Sequence, residues 1–171
     1  FLHTKARKLK LRTVTHCLDR NKATQLRELN KVFKLYTSRG FDIVRFITDL
    51  EFECIREDID PIKLETVAAD DHVGDIESSI RRIKESMRCI VQSLPYSRYP
   101  IVMIKALVAC VVRLLKSLPE NDSVSDNMSP LTVVMGHGPL DYNYMKLEFG
   151  SYVQVFEDYN VTNTINTRAI G

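Results

Sequence analysis

Hydrophobic and polar positions change their spacing several times along the chain, and each change marks an element. Phe1 to Cys17 alternates polar and apolar residues around Leu9, Leu11, Thr13 and Val14, which predicts two paired strands with a basic turn within Lys5 to Lys10. From Lys22 the period becomes helical: Leu26, Leu29, Val32, Phe33 and Tyr36 fall on one face. Asn21 is placed to cap that helix and Gly40 to end it. Ile43, Val44, Phe46 and Ile47 then predict a buried strand running into Thr48 and Asp49, with Arg45 marking an edge or a helix end. A short helical connection from Cys54 to Asp60 stops at Pro61, and a second strand follows from Leu64 to Ala69.

Asp70 and Asp71 precede a long helix with an apolar stripe of Ile76, Ile80, Ile83, Met87, Ile90, Val91 and Leu94, ended by Pro95. A core helix is expected from about Pro100 to Ser117. Lys105, Arg113 and Lys116 share one side of it and leave a wide apolar face. A polar loop from Pro119 to Ser129 leads to a short helix, Pro130 to Met135, before the Gly136–Gly138 break. Phe149, Tyr152, Val153, Val155 and Phe156 predict short strands in the tail, and Asn160 to Arg168 is polar. This order reads as an α/β or α+β layered domain with a mixed sheet. Residues 1–136 are expected to form the main domain, and 137–171 a linker and the start of a small β module.

Composition narrows the functional classes only slightly. The chain has 171 residues and a formal net charge of +2, too little to diagnose a nucleic-acid binder without a local cluster of cations. Four scattered cysteines, Cys17, Cys54, Cys89 and Cys110, form no C-x-x-C pair and imply neither a zinc ribbon nor a disulfide framework. The apolar run from Ile101 to Leu115 contains Lys105 and Arg113 and is shorter than the roughly 20 residues that span a bilayer, so no membrane span is expected. The chain starts at Phe1 with no signal-peptide pattern, which reads as a processed product or an incomplete gene model.

Candidate chemistry rests on two acids. Asp49 closes an apolar strand, where open α/β sheets place functional groups. Glu77 lies one turn into the following long helix. Carboxylates so placed suit Mg²⁺, which takes one or two protein oxygens together with water and phosphate. A turn or cap role for Asp49 and a solvated Glu77 are the bland alternatives. Arg81, Lys84 and Arg88 follow Glu77 on the same helical stripe, which suits contacts to a phosphate backbone; an ordinary solvated face with a Glu77–Arg81 pair is again the alternative. His72 could orient water or phosphate, or cap the helix, and Asp70, Asp71 and Asp75 suit its positive end. In Lys5 to Arg12 a solvated strand face is the better reading than a nuclear-localisation patch.

At His72 to Glu85, H-V-G-D-I-E-S-S-I-R-R-I-K-E, the sequence resembles the integrase helix of copia-type retrotransposons, a pattern close to N-G-V-A-E-R-x-x-R-T. Gly74 and Glu77 match it, and Arg81 falls on the second arginine. T-D-L-E-F, Thr48 to Phe52, resembles the family's S/T-D-N-x-x-E-F segment. Ser125 to Gly136 is similar to the K-T-P-x-E-x-x-x-G segment, and Leu147 to Val153 to the strand that opens a small barrel. The wording is most like copia elements of diatoms and related algae.

The resemblance implies a ribonuclease-H-like fold, DNA-end processing and strand transfer with two Mg²⁺ or Mn²⁺ ions, and Asp49 and Glu77 as the second and third acids of a DDE triad. Arg81, Lys84 and possibly Arg88 would contact DNA. The full-length protein would assemble as a homo-oligomer and act in the nucleus after a cytoplasmic particle stage, with no membrane and no small-molecule substrate. The family's first aspartate, on the first strand of the sheet, would fall before Phe1; Asp19 reads as a cap. Leu50 and Ser78 replace the family's Asn and Arg, and the two acids lie closer in sequence than is usual there. A catalytically inactive nucleic-acid-binding remnant and a nuclease of the same fold are the alternative functions.

Overall fold

The computed structural model describes residues 1–67, 74–136, 138, 141–155 and 169–170. It divides into two compact units, Phe1–Leu140 and Asp141–Gly171.

The first unit is α/β. Strands β1 (Leu2–Lys5) and β2 (Arg12–Thr15) form an antiparallel hairpin in the register Leu2 with Thr15 and Lys5 with Arg12. Helix α1 (Lys22–Thr37) starts where Asn21 accepts a hydrogen bond from the Thr24 N–H at 2.8 Å, satisfying one of the donors that a helix start leaves unpaired. Gly40, at φ 77°, takes the left-handed turn after the helix at little steric cost. Strand β3 (Arg45–Asp49) follows, and a 3-10 helix (Leu50–Ile59) leaves it at once, earlier than the sequence pattern suggests. Strand β4 (Lys63–Val67) pairs parallel with β3, Asp49 standing opposite Val67. Helices α2 (Gly74–Ser93), α3 (Ile101–Ser117) and α4 (Pro130–Met135) complete the unit. Ser129 caps α4 and the left-handed Gly136 ends it. The expected strand end at Ala68 and Ala69, and Asp70, Asp71 and His72, lie outside the described residues.

Among the described residues two small cores hold α1, the 3-10 helix, β4, the hairpin end and α4 together. Leu29, Ile55, Ile59 and Leu64 join α1 to the 3-10 helix and β4; Phe33, Phe46 and Phe52 pack against them, with Phe46 edge to face with each of the other two rings. Leu11, Val32, Tyr36 and Val134 join the hairpin end to α1 and α4. Helix α2 packs on β1, and α3 on β2.

Three expectations change. A single mixed sheet is replaced, among the described residues, by two separate two-stranded sheets in this unit, β1–β2 and β3–β4. The segment before Asp49 is not a buried strand: Val44, just before β3, is 76% exposed and Arg45 is exposed, while Phe46 and Ile47 are half-buried and only Thr48 is buried. The helix expected to be core buries Leu107, Val108, Val111 and Val112 but leaves its first turn open, with Val102 at 72% exposure.

In the second unit a 3-10 turn (Tyr142–Met145) precedes β5 (Gln154–Val155), which pairs antiparallel with β6 (Ala169–Ile170). Its described residues form no barrel, and the polar stretch Asn160 to Arg168 is not among them. Among the described residues no helix is long and apolar enough to cross a membrane.

Candidate functional site

Parallel pairing with β4 carries β3 up to Asp49, and the immediate start of the 3-10 helix turns the chain away there. Asp49 thus occupies a helix-capping position, yet its side chain makes no capping hydrogen bond. The carboxylate is exposed and has no hydrogen bond or ion pair with another described residue. A cap role, the ordinary use for an acid at such a place, is therefore not what Asp49 performs.

Glu77 is exposed in the first turn of α2, beside Asp75, where partial positive charge at the helix start favours acids. Arg7 from the hairpin turn holds Asp75 at 3.0 Å. Asp49 and Glu77 line the same cleft, of about 1260 Å³, between the hairpin and β3. The fold therefore brings the two sequence-predicted acids, from separate elements, to one cavity.

The basic stripe lies elsewhere. Arg81, Lys84 and Arg88 are exposed along α2 and do not line the cleft. None of the three has an ion pair with a described residue, so the Glu77–Arg81 pair is not formed. Arg82, off the stripe, turns instead to Glu120 at 3.6 Å. Among the described residues no group of three His, Cys, Asp or Glu side chains is arranged to hold a metal ion.

Sequence patterning missed a buried polar network beside the cleft. Arg12, assigned above to a solvated strand face, is 1% exposed. Its Nη2 donates to Glu120 Oε1 at 2.7 Å, its Nη1 to the other carboxylate oxygen, and its Nε to Ser79 Oγ at 2.9 Å. Burial pushes the Glu120 carboxyl up, but the Arg12 hydrogen bonds and the charges of Arg12, Lys5 and Arg82 leave it below its ordinary range. His3 completes the network, Nδ1 lying 2.9 Å from the Thr13 carbonyl and Nε2 2.9 Å from Ser79 Oγ. A carbonyl only accepts, so Nδ1 carries the proton and Ser79 donates its hydroxyl hydrogen to Nε2. The only local sign of this network is Ser79, a small polar residue within the helix's buried arc beside Ile76 and Ile83. The Arg12–Glu120 partnership spans 108 residues and has no local signature.

The network sets a pH dependence. Burial, reinforced by Arg12 and Lys5, lowers the His3 pKa from 6.5, and the Thr13 carbonyl opposes this only in part. The unfolded chain therefore binds a proton at higher pH than the folded one. His3 contributes stability in full above about 6.5, and that contribution is lost as pH falls through the lower folded value. Urea unfolding is expected to show weaker stability at about pH 5 than at about pH 7, and His3→Asn should flatten this interval. An unchanged slope in the variant would assign the effect to other groups.

No family model, curated protein or solved structure matches the chain.

Proposed function

We propose that this chain is a DNA-binding domain of the retroelement integrase type, built around a polynucleotidyl-transferase core whose carboxylate set is incomplete in residues 1–171. The observation that carries this reading is that Asp49 and Glu77 both line one cleft, with Asp49 left out of the capping bond its position would permit. The exposed row of Arg81, Lys84 and Arg88, with no ion pair to another described residue, on the helix that bears Glu77 adds a surface for phosphate contacts.

Two carboxylates beside an open cleft fit the donor set of Mg²⁺ or Mn²⁺, which completes its shell with water and phosphate oxygens. Asp49 and Glu77 would hold such an ion, which when bound activates an attacking oxygen and stabilises a leaving one. The family's first aspartate has no counterpart by motif in this sequence, and Leu50 and Ser78 stand where the family has Asn and Arg, so the inactive-remnant reading is favoured for this chain over a working transferase. Assembly with further copies and a nuclear site of action belong to the same proposal.

Paramagnetic Mn²⁺ tests the acid pair without requiring turnover. Added Mn²⁺ should broaden the amide resonances of Asp49, Leu50, Glu77 and Ser78 first, and Asp49→Asn should remove the effect. Broadening centred elsewhere would reject the pair as ligands. With Mg²⁺, a DNA end and a target duplex, the chain is expected to give no joined product. Joining that Asp49→Asn abolishes would show that a further ligand is present, and cutting without joining would identify a nuclease.

A further inference from the structure

Glu120, just past α3, meets more positive charge than one carboxylate neutralises. Arg12 occupies both of its oxygens, Nη2 donating to Oε1 at 2.7 Å and Nη1 to Oε2. Lys5 Nζ and Arg82 Nη1 stand 3.8 and 3.6 Å from the same Oε1, distances that give charge attraction without a hydrogen bond. Three cations thus share one acid, a surplus of two positive charges. Asp75, the other acid in the field of Lys5, is held by Arg7 at 3.0 Å, and Lys10 adds a further cation. Lys5 and Arg12 stand opposite each other in the hairpin register and both reach Glu120, while Arg12 also reaches Ser79 of α2. The cluster therefore lies on the face of the hairpin against which α2 packs, and owes nothing to the edge of β1.

Two bases register the imbalance. Burial, then Arg12 and Lys10, hold the Lys5 amine below its ordinary pKa, and Glu120 and Asp75 do not offset them. Burial lowers His3 on the same face, with Arg12 and Lys5 adding to it. The Lys5 side chain is 10% exposed, and its ammonium makes no hydrogen bond to a described residue. All three of its donors are thus unused among the described residues. Arg82 is 56% exposed and is held by Glu120 at ion-pair distance alone, so its guanidinium can turn to a ligand. Because both cations approach a single oxygen, one anion with several oxygens can touch both. A phosphate group carries close to two negative charges near neutral pH and several acceptor oxygens, which answers a surplus of two. Arg offers it a planar fork and Lys a point charge.

We propose that Lys5 and Arg82 bind a phosphate group beside Glu120, at the seam between the hairpin and α2. Arg81, Lys84 and Arg88 take no part in this site, so it stands independently of the DNA reading. The test is inorganic phosphate titrated into the 171-residue chain against sodium chloride of equal ionic strength. The side-chain nitrogen resonances of Lys5 and Arg82 should shift saturably at millimolar phosphate, and not in chloride. His3 should titrate at higher pH with phosphate bound, because a nearby anion favours the imidazolium. Arg82→Gln, an exchange at an exposed side chain, should weaken binding about tenfold or more, the scale of one hydrogen bond to a charged group. Lys5→Met, which keeps the buried stem, should do the same, and Lys34→Gln, at an exposed cation of α1, should change nothing. A short DNA duplex that gives the same shifts and is displaced by inorganic phosphate would assign the group to a polynucleotide backbone. Shifts with inorganic phosphate and none with the duplex would assign it to free phosphate or a small ester. Equal shifts in chloride would mean an adventitious ion only and overturn the proposal. So would the absence of a saturable shift with either phosphate source, or binding that survives both Arg82→Gln and Lys5→Met.

Discussion

Arg12→Ala is expected to lower the unfolding free energy by about 3–5 kcal/mol, among the largest losses any single replacement in this chain should give. The Arg12 side chain is 2% exposed and Glu120 15%, so removing the guanidinium leaves a nearly buried carboxylate without its two-point partner. Lys5 at 3.8 Å and Arg82 at 3.6 Å supply charge but not that paired geometry. Ser79 loses the donor to its hydroxyl oxygen at the same time. Replacing both partners with apolar residues of similar size, Arg12→Met with Glu120→Leu, should cost much less, because no charge is then stranded. Urea denaturation of the two variants gives the comparison. A single-variant loss under about 1 kcal/mol would mean that water reaches the pair and screens it.

Leu29→Ala is the second large effect, expected to cost about 2–5 kcal/mol. Leu29 is 0% exposed and sits among Ile55, Ile59 and Leu64, so the cavity would open where α1, the 3-10 helix and β4 meet. The 3-10 helix begins at the residue after Asp49, so this core also fixes where β3 ends. Leu26, only partly buried against the same cluster, should cost less when truncated and provides the internal control. Equal losses at the two positions would contradict the packing described.

Local patterns carried most of the element order. Asn21 and Ser129 cap their helices through the side-chain oxygens expected of those residue types, and Gly40 and Gly136 take the left-handed backbone that helix ends use. The hairpin was legible because the alternation at Leu9 to Val14 has the two-residue period of a strand. Tertiary placement was not legible. An apolar run before Asp49 looks buried by composition, but burial depends on what packs over each face of the strand, which no local pattern records, and Val44 stays 76% exposed. Arg12 looks solvated because charged residues usually are, and its partner Glu120 lies 108 residues further along the chain. Asp49 and Glu77 could be placed at a strand end and a helix start from sequence; their shared cleft needed the fold. The helical period did give the row of Arg81, Lys84 and Arg88, and their exposure is what a phosphate-contacting face requires.

We propose that this face binds DNA. Its most direct test is the salt dependence of binding to a fluorescent DNA duplex, measured by anisotropy for the parent chain and for Arg81→Glu combined with Lys84→Glu. Each phosphate contact releases counterions, so the logarithm of affinity should fall linearly with the logarithm of salt concentration in the parent. The double variant should bind more weakly and with a slope shallower by about 2. A slope unchanged in the double variant would mean that the cations of α2 are not the ones that meet the phosphates.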